Sequence, residues 1–234
     1  MSKIQLPDNI EIVYKKIADA AIRAGRSPEA VNLIAVTKTV DGRTVGDAVD
    51  AGLRHFAENR VQEARKKIMG DIPQLKDAGI TWHLIGHLQK NKARLAVELF
   101  DLIQTVDTLA LAEELNRQAQ KSGKIQRVLI QVSLADEERK HGIPGDDFIK
   151  LLEGINGMSS LSVEGLMTMP PFFDDPEMAR PYFRELRKMR DDAETMGFRL
   201  PELSMGMSND FEVAILEGAT MVRVGTAIFG ERVK

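Results

Sequence analysis

The chain has 234 residues, of which 43% are hydrophobic and 29% charged, with a formal net charge of −3. That length suits one α/β barrel, so a single domain spanning 1–234 is expected. Acids and bases are interspersed, which excludes the basic stripe of a nucleic-acid binder. No stretch approaches the ~18 consecutive apolar residues of a membrane span. The absence of cysteine excludes disulfides, thiolate metal sites and a cysteine nucleophile. The opening residues MSKIQLPDNIEIVYKK have no apolar leader, so a cytoplasmic protein is expected.

The first amphipathic stretch places Ile10, Val13, Tyr14, Ile17 and Ala21 at helical spacing, with Gly25 to end it. Ser27-Pro28-Glu29 then reads as a helix start. NLIAVTK (32–38) follows as a continuous apolar run, the pattern of a strand buried on both faces. Similar runs recur at 55–58, 82–86, 102–106, 127–133, 163–169, 203–207 and 221–225. Between them lie amphipathic stretches. One carries Leu109, Ala112, Leu115 and Ala119, a second Phe148, Leu151, Leu152 and Ile155, and a third Tyr182, Phe183, Leu186, Met189 and Ala193. Eight strands alternating with helices require parallel neighbours and right-handed crossovers. They predict an α/β fold, a single (β/α)8 TIM-type barrel with an additional N-terminal helix, in preference to an open doubly wound sheet. The proline-rich segment MPPFFDDPEMARP (169–181) reads as a long loop after the sixth strand.

Barrels bind ligands at the C-terminal ends of their strands. Lys38 ends the first strand. Desolvation there lowers the pKa of an amine and favours the neutral form that makes an imine, although a strand-end lysine can also simply reach solvent. The loops after strands seven and eight, GMSND and GTAIFG, supply glycines and hydroxyls suited to a phosphate. Ordinary turn and capping chemistry is the alternative. Arg223 sits within an apolar strand, and a buried guanidinium needs a partner, either a carboxylate such as Glu58 or a ring nitrogen of a ligand. His83 and His87 have the spacing of paired metal ligands on a helix, but this segment reads as strand and turn, so no metal is expected. Lys140-His141 and the acids Asp136, Glu137 and Glu138 read as solvated loop.

These residues fall in blocks that resemble a known family. LIAVTKT (33–39), HFAENRVQEARKK (55–67), WHLIGHLQKNKAR (82–94), EGLMTM (164–169), LSMGMSNDFEVAI (203–215) and GATMVRVGTAIFG (218–230) are similar to the YggS/PROSC family of pyridoxal 5'-phosphate (PLP) homeostasis proteins. The resemblance implies a barrel like the N-terminal domain of alanine racemase. It implies PLP held as a Schiff base on Lys38, with Arg223 facing the pyridine nitrogen. Ser208, Gly225 and Thr226 would surround the phosphate, Asn59 would lie near the cofactor, and His83 and Met207 would line the pocket. The chain departs from the family at Arg60, where tyrosine is more frequent, and at His87, where proline is common.

An arginine beside the ring nitrogen keeps that nitrogen unprotonated and weakens the ring as an electron sink. Alanine racemase shares the arginine but draws a tyrosine from a second domain as opposing base. The only tyrosines here are Tyr14 and Tyr182, on the leading helix and beyond the long loop. The expectation is therefore a PLP carrier acting in PLP homeostasis and amino-acid balance, a monomer with no catalytic residues, whose partners are PLP and PLP-dependent apo-enzymes. A PLP-dependent amino-acid racemase is the alternative.

Overall fold

The computed structural model describes residues 5–72, 79–135 and 141–231. Asp136, Glu137, Glu138 and Lys140 lie outside the described residues. In chain order the main elements are α1 (Gln5–Arg23), β1 (Asn32–Val36), α2 (Gly42–Asp50), β2 (His55–Glu58), α3 (Val61–Lys66), β3 (Thr81–Leu84), α4 (Ala93–Leu99), β4 (Leu102–Val106), α5 (Leu109–Lys121), β5 (Gln126–Ser133) and β6 (Ile143–Pro144). There follow α6 (Phe148–Ile155), β7 (Leu161–Met167), α7 (Arg180–Thr195), β8 (Glu202–Met207), α8 (Phe211–Leu216), β9 (Met221–Val224) and α9 (Thr226–Phe229).

Eight strands, all parallel, run β1-β2-β3-β4-β5-β7-β8-β9, and β9 pairs back onto β1. That closure removes every edge from the eight-stranded ring, which is what separates a TIM-type barrel from an open sheet. The two-residue β6 lies outside the ring, beside the end of β5. It is too short to leave a periodic signal, and the sequence did not predict it.

Alternation along each strand sorts side chains into two populations. Ile34, Val36, Ala57, Ile85, Leu102, Leu129, Met167 and Met221 pack inside the barrel. Leu33, Ala35, Phe56, Trp82, Leu84, Ile103, Val128 and Val222 face outward into the helix layer. The amphipathic stretches behave as their spacing predicts, with shifts at their margins. In α1 the buried stripe is Leu6, Ile10, Val13, Ile17, Ala20 and Ala21, while Tyr14 is exposed. In α5 it is Leu111, Ala112, Leu115 and Ala119, while Leu109 is exposed at the first turn. Ser27-Pro28-Glu29 opens only a three-residue 3-10 turn.

The helix after the last barrel strand, α9, has only four residues and cannot cover a strand. α1 takes its place in the outer ring, packing against α8 and α9 on one side and α2 on the other. Asn9 Nδ2 donates to the Ile228 carbonyl at 3.0 Å, and Arg26 Nη1 donates to the Ala219 carbonyl at 2.8 Å. The additional N-terminal helix is thus the eighth helix of the barrel by position. Among the described residues, no helix is long and apolar enough to cross a membrane.

Candidate functional site

Lys38 follows β1 in step with Ile34 and Val36, which places it on the inward side at the C-terminal mouth. It is half-buried. The next residue, Thr39, has φ 66°, a left-handed conformation that a β-branched side chain rarely tolerates. Holding it costs about 1–3 kcal/mol, and such strain persists only where the surroundings fix it. Here the turn is closed by the Val40 N–H donating to the Thr37 carbonyl at 3.0 Å.

That turn rests on a buried ion pair that sequence reasoning missed. Thr37 faces outward, opposite in step to Lys38. Its hydroxyl donates to Glu58 Oε1 at 2.7 Å, and Lys67 Nζ donates to the Thr37 carbonyl at 2.7 Å. Lys67 also pairs directly with Glu58 Oε1. Glu58 is 0% exposed and Lys67 6%. The sequence held a signal for Lys67: it falls on the buried stripe of Val61 and Ala64, where a lysine must be paired. Glu58 is therefore not the partner of Arg223. It shares the outward face of β2 with Phe56, whereas Arg223 points into the barrel with Met221.

Arg223 is bound instead by neutral groups. Nη1 donates to Ser204 Oγ at 2.7 Å and Nη2 to the Thr168 carbonyl at 2.8 Å. Burial lowers its pKa to about 10, opposed by attraction to Asp210. A guanidinium only donates, so the bonds beyond it are oriented. The Ser204 hydroxyl donates to Gln104 Oε1 at 2.6 Å, Gln104 Nε2 to His83 Nδ1 at 3.0 Å, and His83 Nε2 to His55 Nδ1 at 3.1 Å. His83 is thus a member of a polar chain crossing the barrel interior, 1% exposed, rather than a residue of the rim.

Burial, with the nearby His55 and Arg127 charges, lowers the His83 pKa to about 3. The unfolded chain binds this proton near 6.5 and the folded chain does not. Its stabilising contribution is therefore complete above about pH 6.5 and drains away as pH falls from there towards about 3. His83→Gln should lose about 2 kcal/mol less stability than the parent between pH 7 and pH 5, at about 1.4 kcal/mol per unit below 6.5. Urea titrations at the two pH values test this, and parallel losses in the two proteins would count against a neutral buried His83.

The phosphate-type residues converge as well. Ser208 Oγ accepts from the Gly225 N–H at 3.2 Å and from the Ala227 N–H at 3.5 Å. Two backbone donors aimed at one oxygen are the kind of arrangement that suits an anion. Thr226 is exposed at the start of α9, with its hydroxyl beside this group in sequence. Met207 is half-buried, and its N–H donates to Asp210 Oδ1 at 2.6 Å. The Asp210 pKa is raised by burial, against that hydrogen bond and the Arg223 charge. Asn59 follows β2, the neighbour of β1, and its Oδ1 is buried with no hydrogen-bond partner among the described residues. The mouth above β8, β9, β1 and β2 thus combines a lysine amine, an N–H and hydroxyl cradle, and an unmet amide oxygen. That donor set fits a phosphorylated aldehyde.

Residues 15–233 match the family model described as alanine racemase, N-terminal domain. A pyridoxal phosphate homeostasis protein from Aquifex aeolicus is 42% identical over 226 residues, covering 96% of this chain and 97% of the relative. PipY of Synechococcus elongatus PCC7942, solved with PLP bound, superimposes with a TM-score of 0.81 at 40% identity, covering 92% of this chain and 100% of PipY. Alanine racemase of Clostridium difficile 630 shares the fold at a TM-score of 0.72 and 14% identity, over 97% of this chain but 57% of the racemase. On these matches the chain belongs to the pyridoxal phosphate homeostasis protein family, built on the alanine racemase N-terminal fold.

Proposed function

We propose that the whole chain, 1–234, is one PLP-binding unit that holds PLP on Lys38 and serves cytoplasmic PLP homeostasis and amino-acid balance without catalysing a reaction. The observation that carries this reading is the common mouth shared by Lys38 and the Ser208–Gly225–Ala227 cradle. Lys38 Nζ would hold PLP through its aldehyde carbon as a Schiff base, with loss of water. Ser208, Gly225 and Thr226 would hold the phosphate, Asn59 and Met207 would border the ring, and Arg223 would face its nitrogen. His83 acts one step removed, through Gln104 and Ser204.

PLP supplies an electron sink when bound, and the residues around it determine how strong that sink is. Arg223 cannot take a proton from the ring nitrogen, and two of its N–H groups are already committed to Ser204 and Thr168. Neither tyrosine is placed to act as a second base. Tyr14 is exposed on α1, and Tyr182 stacks on Phe173 at 6.0 Å between ring centroids. With a weak sink and neither tyrosine placed as an opposing base, a monomeric carrier that passes PLP to apo-enzymes is favoured over a racemase. Borohydride reduction of the purified protein followed by peptide mass mapping tests the attachment. The adduct is expected on the peptide bearing Lys38, and an adduct confined to another lysine would overturn it. Turnover of alanine at an enzyme's rate would overturn the non-catalytic reading.

A further inference from the structure

On the opposite arc of the same rim stands a cluster that the PLP reading leaves unused. His87 follows β3, Asp107 directly follows β4, and His141 lies between β5 and β6. One ligand-type atom from each of the three lies within 4.8 Å of the other two. The His87 and His141 rings stack with centroids 3.7 Å apart and an interplanar angle of 11°. His87 Nδ1 stands 3.8 Å from Asp107 Oδ2. That gap is too long for a hydrogen bond. It is close to the separation of about 3.4 Å between two ligands each about 2.1 Å from a tetrahedral ion. Only 11% of the Asp107 side chain is exposed, and it makes no hydrogen bond to any described residue.

The backbone fixes two of the three positions. Gly86, before His87, is held by Thr105 Oγ1 donating to its carbonyl at 2.9 Å, and a Cβ there would meet the Asn59 carbonyl oxygen at 2.0 Å. The His141 carbonyl accepts from Gln131 Nε2 at 2.7 Å. Gly142, after it, has φ +132°, and a Cβ there would meet the Ser133 nitrogen at 2.8 Å. Both histidines are therefore seated by close backbone packing, independently of each other. His83 takes no part in the cluster, since it lies in a strand and is enclosed in the barrel.

We propose that His87, Asp107 and His141 form a zinc-class site, with water or a small anion in the fourth position. Two imidazoles and one carboxylate suit Zn2+ and its neighbours, not Mg2+ or Ca2+, which favour all-oxygen shells. Three protein ligands with one open position is the arrangement of an accessible zinc site. The ion ties the segments after β3 and β5 to the end of β4. The rings open from their stack on binding, because two imidazoles converging on one ion cannot stay parallel.

The chain is well suited to a clean test. It has no cysteine and only four histidines, two of which, His55 and His83, are bonded to each other. Untagged protein as purified, stripped with a chelator, is dialysed against Zn2+ with bound metal counted. One Zn2+ per chain is expected. His87→Ala, Asp107→Asn and His141→Ala should each weaken binding by about 100-fold or more, the upper end of what loss of even an outer partner costs. His55→Gln should bind as the parent does. Co2+ in place of Zn2+ should give the visible d–d bands of a low-coordinate site in the parent and lose them in His141→Ala. No retained Zn2+, or equal retention by the parent and all three ligand variants, would overturn the assignment. So would Co2+ bands that persist in His141→Ala.

Discussion

Lys38→Ala is expected to abolish the visible absorbance of the PLP-loaded protein and leave the fold intact. The side chain is half-buried at a strand end, lies outside the apolar clusters of the core, and is followed by a turn closed by the Val40 N–H on the Thr37 carbonyl. A second lysine, close in space though not in sequence, will not substitute. Lys67 is nearly as buried as any core residue, but it lies on the outward side of β1 and β2, with its amine committed to Glu58 and to the Thr37 carbonyl. An amine held as a charged donor in an ion pair is not the free base that imine formation requires. The check is an absorbance spectrum of each protein after PLP loading and gel filtration. A band unchanged in Lys38→Ala would remove the attachment site from the proposal.

The second large effect concerns the pair beneath that turn. Glu58→Ala should destabilise the protein by about 3–5 kcal/mol, because it leaves the Lys67 charge buried with only a carbonyl to bind. Replacing both residues with methionine should restore much of that loss, since well-packed apolar residues in place of a buried ion pair are often neutral or better. Urea unfolding with an unchanged slope reads both numbers. If Glu58→Ala cost under about 1 kcal/mol, the pair would not be the support described. The double variant is also informative about the cofactor: if the pair sets the Thr37–Lys38–Thr39 turn, PLP retention should fall even where stability recovers.

The barrel was legible in the sequence because parallel strands buried on both faces write themselves as apolar runs such as Leu33–Val36. The mouth residues Lys38, Ser208 and Gly225 were legible for a related reason, since polar and small residues at the ends of such runs must fall on one rim. What could not be read were partnerships between distant strands. Gln104 and Ser204 are 100 residues apart, and nothing local in either segment announces their hydrogen bond. Glu58 was misassigned as a candidate partner for Arg223 because residue type suggested an ion pair, whereas strand alternation puts the two on opposite sides of the sheet. The left-handed Thr39 had no sequence signal at all, since glycine or asparagine is the residue expected in that conformation. His87 could be seen as unusual, but its neighbours Asp107 and His141 became apparent only when three loops met.

The position of α1 bears on how the chain reaches this state. Its apolar stripe is finished by α8 and α9, and the Asn9–Ile228 hydrogen bond spans 219 residues. Contacts so remote in the chain are slow to form, because loop closure must precede any gain from them. The seam where β9 meets β1 and α1 covers both is therefore a late event in folding. Until it closes, a sticky helix face and two unpaired strand edges are open to wrong partners, and a substitution at Ile10 or Val13 would show first as lower soluble yield.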